Sequence, residues 1–351
     1  MTEQLHDNTF VTGEALSPQA SRGITAIALL SGGLDSQVAV KMILEQGIAV
    51  TAIKFTSPFC TCDSGGVCHS AVAAKAFNIP LVTIPKGLEY LDVVRSPEHG
   101  YGRAMNPCID CRIFILKKAA AYAASVGAAF LFTGEVLDQR PMSQHRRALD
   151  VIEEESGLRG KLLRPLSARL LPPTEAELSG MVDRNRLGAI HGRSRGEQMA
   201  LAKSFSIADY PCSAGGCLLT EKAFALRLKD LFEHNNSLEM RDVTMLKVGR
   251  HFRYQGAKVI VGKNKLQNEH LLTARRTGEV YLETLGIPGP SALLSGDVND
   301  TTILFAAEAA ASYADAGNEA VEVLIDDGIA KNTLYVIVDE HICAMVKRLK
   351  L

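Results

Sequence analysis

The sequence predicts an α/β protein, with a Rossmann-like parallel sheet in the first half of the chain and a separate α+β module at its end. Strand patterns alternate with helical patterns, a Gly-rich turn joins the first such pair, and the pattern changes after residue 171. Parallel strands need crossover connections, so this alternation indicates a sheet with helices on both faces. The strand patterns fall at 23–30, 49–55, 81–84, 129–133 and 162–166, and the helical ones at 37–46, 67–77 and 109–126.

A chain of 351 residues is long enough for two or three domains. Residues 1–22 are polar and predict a flexible tail. Residues 23–171 form the predicted α/β domain, and residues 172–239 a mostly helical extension packed on it. Strand patterns return from about residue 240, so 240–351 are predicted to be the α+β module.

Charge and composition exclude several classes of protein. The formal net charge is −1, which biases the whole chain towards neither nucleic acid nor a membrane surface. No apolar run approaches the roughly 18 residues of a membrane span, and residues 1–22 lack the features of a secretory signal. We therefore expect a cytoplasmic protein with no membrane partner, in which the eight cysteines form no disulfide framework.

Residues 31–36, with the sequence Ser-Gly-Gly-Leu-Asp-Ser, have the features of a phosphate-binding loop between a strand and a helix. Gly32 and Gly33 allow a tight turn and a close approach of ligand to backbone. The following helix offers free N–H groups and a positive dipole end, and Ser31 and Ser36 add hydroxyl groups. No Gly-Lys-Ser/Thr follows, so the loop is not a Walker A motif.

This hexapeptide resembles the signature of the PP-loop ATP pyrophosphatases, a Rossmann-like superfamily. Its members cleave ATP between the α- and β-phosphates and place AMP on a substrate oxygen. The resemblance implies that Ser31, Gly32, Gly33, Asp35 and Ser36 bind ATP. It also gives Asp35 a catalytic role, in which the carboxylate organises phosphates that carry Mg²⁺.

Residues 133–144 are a second candidate segment, because they begin where a strand pattern ends and ligands bind at that edge of open α/β sheets. The segment is similar to the TGE-x-x-x-Q-x-x-SQ stretch of tRNA sulfur transferases in the same superfamily. This implies that Gly134, Glu135 and Gln139 contact the nucleotide. The alternative for Glu135 and Gln139 is the polar start of a helix without a ligand.

Cys108 and Cys111 lie three residues apart at the start of the predicted long helix, so they share one helix face. Such a pair can bind a metal or an iron–sulfur cluster, or act as a redox pair. The spacing alone does not choose between zinc and iron–sulfur, because both use Cys-x-x-Cys.

The same segment resembles the Cys-x-x-Cys of iron–sulfur-dependent tRNA thiolation enzymes, in which a third cysteine completes a site with one open iron. The stretch 214–220 favours Cys217 as that third residue, with Cys212 in reserve. The resemblance thus implies metal-binding and catalytic roles for Cys108, Cys111 and Cys217. A 4Fe–4S cluster is one form of this site, and zinc binding or persulfide exchange are the alternatives.

The other cysteines have several interpretations. Cys60, Cys62 and Cys68 follow the second strand pattern, where they would form another metal site, relay persulfide sulfur or be inert. Cys343 lies among apolar residues and is predicted to be a core residue of a strand.

Residues 245–278 form a basic segment, with eight Lys or Arg residues against the single acidic residue Glu269. Basic residues interleaved with aromatic ones suit phosphate contact and base stacking, although a solvated surface is the alternative. A second basic cluster lies at 184–195 and would contact RNA or be a simple surface.

The residue order at 249–253, 261–264 and 288–290 resembles the NFACT-R RNA-binding domain, over about 240–326. The resemblance implies RNA contacts by Arg250, Arg253 and Lys263, with tRNA as the partner.

Taken together, the motifs resemble the ThiI-, MnmA- and TtuA-like branch of the PP-loop superfamily. This implies an ATP-dependent tRNA sulfurtransferase that adenylates a uridine and releases AMP and pyrophosphate. Its sulfur donor would be a cysteine desulfurase or free sulfide. The alternatives are a PP-loop ligase that amidates a small molecule, and an RNA-binding factor with a vestigial nucleotide site.

Overall fold

A computed structural model describes residues 10–12, 23–61, 67–210, 216–316 and 319–351. It divides the chain into two compact units, Met1–Glu221 and Lys222–Leu351. The predicted boundary at residue 240 lies later in the chain than the observed one at residue 222. The difference arises because the helix Lys222–His234 packs within the second unit.

The first unit contains one sheet, whose strands are β1 (Phe10–Thr12), β2 (Thr25–Leu29), β3 (Ala49–Thr56), β4 (Leu81–Pro85), β5 (Phe130–Thr133) and β6 (Leu162–Leu163). Its described helices are α1 (Leu34–Leu44), α2 (His69–Ala76), α3 (Glu89–Arg95), α4 (Cys108–Ser125), α5 (Arg146–Ser156), α6 (Glu175–Leu178) and α7 (Gly196–Ser204). Short 3₁₀ helices lie at Ala168–Leu170, Arg184–Arg186 and Leu218–Thr220.

The strand order is β1-β4-β3-β2-β5-β6, and strands β2 to β6 are all parallel. The predicted Rossmann-like parallel sheet is therefore confirmed. Strand β1 pairs antiparallel with β4, so part of the segment predicted to be a flexible tail is an edge strand. The rest of that segment lies outside the described residues.

Both faces of the sheet are buried, as strand β2 illustrates. Ala26 and Ala28 belong to the core on the α1 side, whereas Ile27 and Leu29 belong to the core on the α4 side. Successive side chains of a strand point to opposite faces, so a strand that is apolar at every position is covered on both. Truncation of the fully buried Ile27 to Ala is expected to cost about 2–5 kcal/mol of stability.

The predicted helical extension has only short helices where its described residues belong to the first unit, whereas its 13-residue helix Lys222–His234 belongs to the second unit. Buried residues such as Val182, Leu187 and Ile190 join the core on the α1 side. At Gly188 the backbone of this segment packs directly on the backbone of Leu166. A Cβ at Gly188 would lie 2.3 Å from the carbonyl oxygen of Leu166. The segment is held by packing rather than by helical hydrogen bonds.

The second unit is an α+β module, as predicted. Its strands are β7 (Arg250–Tyr254), β8 (Ala257–Val261), β9 (Val280–Leu285), β10 (Ser291–Ser295), β11 (Val321–Asp326) and β12 (Lys331–Val336). They pair antiparallel in the order β12-β11-β9-β10-β8-β7. Its described helices are α8 (Lys222–His234), α9 (Met240–Met245), α10 (Lys265–Thr273), α11 (Asp300–Ala311) and α12 (Glu340–Arg348).

Helix α8 belongs to this unit because its buried Asp230 accepts hydrogen bonds from Arg253 and Lys258 of the sheet. Cys343 lies half-buried in helix α12, so its prediction as a strand residue of the core is wrong. Among the described segments, we find no helix with the length and apolar character needed to cross a membrane.

Candidate nucleotide and cysteine site

The candidate site lies at the carboxyl edge of the parallel sheet. The loop 31–36 follows β2, the segment 57–61 follows β3, Lys86 follows β4 and Gly134 follows β5. Strand β2 has β3 on one side and β5 on the other, so the chain changes direction across the sheet at β2. Such a switch point is where open α/β sheets bind ligands.

The loop 31–36 has a compact backbone that is set by its glycines. Gly32 has φ +78°, and a Cβ there would lie 2.6 Å from the backbone of His69 and Ser70 at the start of α2. The hydroxyl of Ser36 donates to the Gly33 carbonyl over 2.8 Å and lies 3.2 Å from the Ser31 hydroxyl. The two serine hydroxyl groups therefore lie side by side at the N-terminus of α1, as phosphate binding would require.

Gly134, which follows β5, packs directly against the backbone of this loop. A Cβ at this position would lie 2.5 Å from both the Cα and the N of Ser36. The absence of a side chain at Gly134 thus allows the two segments to meet at the switch point.

Asp35 is held beside the loop by residues from distant parts of the chain. Its Oδ2 accepts a hydrogen bond of 2.9 Å from Gln139, whose Oε1 lies 3.4 Å from the donor nitrogen of Gln198. Its Oδ1 is buried and has no hydrogen-bond partner, although Arg195 lies 3.8 Å away. A buried carboxylate oxygen without a hydrogen bond is unusual and fits an atom that meets a ligand or cation.

Glu135 has a different environment, since its buried carboxylate lies 3.1 Å from Arg164 and 3.2 Å from Arg112. Burial raises the pKa of Glu135, but these two guanidinium groups outweigh it and hold the pKa below its usual value. Because Arg112 directly follows Cys111, this ion pair fixes the start of α4 against the end of β5. The geometry therefore gives Glu135 a positioning role.

Cys111 lies beside two polar groups that stabilise its thiolate. The Lys86 ammonium donates to the Cys111 sulfur over 3.0 Å and lies 4.1 Å from the centre of the Tyr90 ring. Burial raises the pKa of Cys111, but Lys86 and a hydrogen bond from Tyr90 outweigh it, so the pKa is lowered. A lowered pKa increases the thiolate fraction, which is the reactive form.

Cys108 and Cys217 are close enough to Cys111 for the charges to interact. Burial raises the pKa of Cys217 to about 11, and it also raises that of Cys108. In both cases a negative charge on Cys111 adds to the rise. The structure thus brings Cys217 close to Cys108 and Cys111, which lie far from it in sequence.

Cys108, Cys111 and Cys217 are the predicted ligand set for a metal ion or an iron–sulfur cluster. Across the described parts of the chain, no group of three or more His, Cys, Asp or Glu residues could hold a metal ion. In this structure the Cys111 sulfur accepts hydrogen bonds from Lys86 and Tyr90. The reserve ligand Cys212 lies outside the described residues, so Cys108, Cys111 and Cys217 remain a predicted ligand set.

The remaining cysteines divide into three cases. Cys60 lies directly opposite Cys217 in an isolated antiparallel bridge. Cys68 accepts a hydrogen bond of 3.0 Å from the ammonium of Lys54. Cys62 and Cys212 lie outside the described residues.

Arg140 connects the nucleotide loop with the cysteines. Burial of its guanidinium and the charge of Arg112 lower the pKa of Arg140, whereas Cys108 and Asp35 raise it. Arg112, which follows Cys111, pairs with Glu135 over 3.2 Å, and the adjacent Gly134 packs against Ser36, so the loop and the cysteines share one region. Arg140 also keeps exposed surface, which leaves it open to an anionic ligand.

Sequence reasoning missed several residues of this region. Lys86 was missed although it directly follows a strand pattern. That position predicts a residue at the carboxyl edge of the sheet, where ligands bind. Tyr90 and Gln198 carried no local signal, because only tertiary packing brings them to Cys111 and Gln139. Arg195 was noticed only as part of a basic cluster, and its approach to Asp35 was not predicted.

The basic residues of the second unit have unequal roles. Arg253 forms two hydrogen bonds of 2.9 Å with the Asp230 carboxylate, so its charge is compensated within the unit. Arg250 donates to the Gly262 carbonyl over 2.9 Å and lies over the Tyr313 ring. Lys263 is exposed, and its pKa is lowered by partial burial and by nearby Arg227 and Arg250. Positive charges that face one another in this way favour an anionic partner.

The first unit combines a Rossmann-like parallel sheet with a Gly-rich loop at the switch point, and a basic α+β module follows it. Residues 21–169 match the family model described as thiamine biosynthesis protein (ThiI). Residues 249–340 match the NFACT protein RNA binding domain. The first unit is thus similar to the ThiI family over residues 21–169, and the second unit is similar to the NFACT RNA binding domain over residues 249–340.

Two curated relatives are tRNA-specific 2-thiouridylases MnmA. The protein of Dichelobacter nodosus is 31% identical over 147 residues, which cover 37% of this chain and 38% of the relative. The protein of Marinobacter nauticus is 26% identical over 252 residues, which cover 67% of this chain and 60% of the relative. The chain thus spans less than two thirds of these relatives.

Among solved structures, a 4-thiouridine synthetase–RNA complex with bound ATP has 19% identity and a TM-score of 0.35. The match covers 64% of this chain and 52% of that one.

Proposed function

We propose that this protein is an ATP-dependent tRNA sulfurtransferase that converts a uridine into a thiouridine and releases AMP and pyrophosphate. The observation that carries the proposal is the ion pair of 3.2 Å between Arg112, which follows Cys111, and Glu135, whose neighbour Gly134 packs against Ser36 of the loop. A nucleotide site beside thiols is what adenylation followed by sulfur transfer requires.

The first step is adenylation, in which a carbonyl oxygen of the base attacks the α-phosphate of ATP. The backbone N–H groups and the Ser31 and Ser36 hydroxyl groups hold the departing pyrophosphate. The proposed nucleotide contacts of Gly134 and Gln139 lie on the facing segment. Glu135, which is paired with arginines, acts by holding that segment in place.

Mg²⁺ is expected to accompany ATP, and the residues present fit it. The Asp35 Oδ1 is buried without a hydrogen-bond partner, and carboxylate oxygens are preferred Mg²⁺ ligands. Mg²⁺ would neutralise negative charge on the phosphates.

The second step is sulfur transfer by Cys108, Cys111 and Cys217. Lys86 and Tyr90 favour the thiolate of Cys111, which supports thiol or persulfide chemistry. The sulfur donor would be a cysteine desulfurase or free sulfide. A 4Fe–4S cluster held by Cys108, Cys111 and Cys217 is the alternative form of this site, and it would hold the incoming sulfide.

The second unit would supply the RNA contacts, with Lys263 and Arg250 as the proposed phosphate-binding residues. Arg253 contributes indirectly, because its guanidinium is bonded to Asp230.

The proposal is tested by measuring release of AMP and pyrophosphate with and without tRNA, and thiouridine formation by mass spectrometry. We expect AMP release to depend on tRNA and to persist in Cys111→Ser, which should form no thiouridine. Turnover on a small molecule without RNA would instead indicate an amidating ligase. RNA binding without any AMP would indicate a vestigial nucleotide site.

Iron analysis of anaerobically purified protein tests the cysteine chemistry separately. Stoichiometric iron and sulfide that are lost in Cys217→Ala, together with thiolation, would support the cluster. Colourless, iron-free protein that forms thiouridine at full rate would support persulfide exchange.

A further inference from the structure

The two edges of the antiparallel sheet in the second unit differ in how they are covered. Strand β7 forms one edge, and the C-terminal residues of the chain extend along it. The Leu351 N–H donates to the His251 carbonyl over 2.9 Å, and Lys350 lies opposite Phe252 in an isolated antiparallel bridge. Strand β12 forms the other edge, and among the described segments only β11 pairs with it. The outer row of β12 backbone N–H and C=O groups is therefore available to another strand.

Strand β12 lacks the features that protect an exposed edge from pairing. Its sequence Lys-Asn-Thr-Leu-Tyr-Val contains no proline, and its residues pair with β11 in one continuous register without a bulge. Tyr335 is 65% exposed, and Ile337, which directly follows the strand, is 66% exposed. A regular edge with exposed apolar side chains is typical of a strand that pairs with another chain.

Lys331 is the one charged residue of β12, and its side chain can reach a partner. It lies 3.5 Å from Asp326, but that carboxylate is also bonded to Arg275 over 2.8 Å. The Lys331 side chain remains 68% exposed. The edge strand thus begins with an accessible positive charge.

Negative charge collects at the other end of β12, where helix α12 begins. Asp339 caps this helix by accepting a hydrogen bond from the Ile342 N–H, and Glu340 follows it. Burial raises the pKa of Glu308 on α11, and the charge of Asp339 adds to the rise. Two β12 strands that pair antiparallel therefore bring Lys331 of each strand to the acidic end of the other. This charge complementarity favours a second copy of the chain as the occupant of the edge.

The apolar surfaces at the two ends of β12 are complementary as well. Ile329, in the turn that precedes the strand, is 98% exposed. Beyond the other end of the strand, an open groove between α11 and α12 is lined by Ala311, Ala314, Ile337 and Ala344. In an antiparallel pair of β12 strands, the turn of one copy meets the end of the strand in the other. The exposed Ile329 of each copy would therefore lie beside the groove of its partner.

We propose that β12 is the interface of a homodimer, in which two copies of the chain pair this strand antiparallel about a two-fold axis at Tyr335. In this register Lys331 lies opposite the partner's Asp339, and Thr333 lies opposite the partner's Ile337. The two Tyr335 side chains meet at the axis, and aromatic pairs are favourable between neighbouring strands. Each six-stranded sheet thus continues into the sheet of the other copy. The inference is independent of the proposed sulfurtransferase function.

The test uses the full chain and measures its mass in solution by sedimentation velocity, from the low to the high micromolar range. One strand pair with short flanking contacts is smaller than the roughly 1,600 Å² of a standard interface, so we expect a reversible dimer of micromolar affinity. Tyr335→Glu places two carboxylates directly opposite each other at the axis, and should weaken the dimer at least about tenfold.

Leu266→Glu is the matched control, because it makes the same kind of change at another exposed apolar residue of the second unit. It should leave the dimer intact. Both substituted side chains are exposed, so the thermal unfolding temperatures of the two variants should agree with each other.

Cross-linking tests the register separately. Tyr335→Cys brings two thiols to the axis with Cα atoms about 4.5–5.5 Å apart, a spacing that a disulfide accepts. Mild oxidation should therefore give an inter-chain disulfide at position 335, which peptide mass spectrometry identifies. Thr333→Cys is the comparison and should give no such link, because the two copies of residue 333 lie about 14 Å apart along the strands.

A chain that stays monomeric throughout the micromolar range, or a dimer that Tyr335→Glu leaves unchanged, would overturn the proposal. A monomer that binds a separate peptide strand along β12 would overturn it too, because the edge would then serve a different partner. An inter-chain disulfide at position 333 but not at 335 would exclude the two-fold axis at Tyr335.

Discussion

Asp35 in the first unit and Asp230 in the second are both acidic residues close to basic side chains, but their hydrogen bonding differs. Asp230 accepts two hydrogen bonds from Arg253 and one from Lys258. Asp35 accepts one from Gln139, and its other oxygen is buried without a hydrogen bond. A carboxylate whose two oxygens both accept hydrogen bonds stabilises the fold. A carboxylate with one buried oxygen that accepts no hydrogen bond can bind a ligand through that oxygen. The two residues should therefore respond in opposite ways to the same substitution.

Asp35→Asn should give the largest effect, a loss of about 100-fold or more in AMP and pyrophosphate release. The amide keeps the shape of the side chain but removes the charge that would face Mg²⁺. The thermal unfolding temperature should stay nearly unchanged. Near-normal AMP release, or release of ADP and phosphate, would contradict the assigned role.

Gly134→Ala should reduce AMP release by at least about tenfold, because its Cβ would lie 2.5 Å from the backbone of Ser36 and would displace the loop. Gly196→Ala is the matched control, since its Cβ would meet only the Ser194 hydroxyl at 3.8 Å. Equal activity of the two variants would show that the contact at the switch point is not needed for catalysis.

Asp230→Asn should leave the rate of AMP release intact and lower the stability of the second unit by about 1–3 kcal/mol. Burial raises the pKa of Asp230, but Arg253 and Lys258 outweigh it and lower the pKa overall. The stabilisation is thus present above the ordinary Asp pKa of about 3.9 and is lost as pH falls through the lower folded value. Denaturant unfolding at neutral and acidic pH measures this, and a variant as stable as the unmodified protein at neutral pH would contradict it.

Lys263→Ala should have the smallest effect, a several-fold weaker binding of tRNA and a salt dependence reduced by about one phosphate contact. Lys263 is exposed, so the stability of the unit should not change. Arg253→Ala is the informative comparison, because it should lower stability by leaving Asp230 without its main partner. Tighter or salt-independent binding by Lys263→Ala would remove this residue from the RNA surface.

The sequence by itself determined the parallel sheet, the phosphate loop and the C-terminal α+β module. These features depend on local signals: apolar runs of strand length, glycines at a strand–helix turn, and the change of pattern near residue 240. Short motifs, the hexapeptide at 31–36 and the Cys-x-x-Cys spacing, were likewise enough to predict Asp35, Cys108 and Cys111 as candidate site residues. The extent of the helices between residues 172 and 221 was overestimated, because the described part of that segment packs against the core with only short helices.

Only the tertiary structure decided which charges are structural and which cysteines meet. Glu135 and Arg253 appear in sequence as candidate ligand contacts, but each has its charge compensated by a partner far along the chain. Cys60 and Cys217 are opposed by hydrogen bonds between segments more than 150 residues apart in sequence. Side-chain pairing depends on distance in space, and periodicity and spacing along the chain report only on near neighbours.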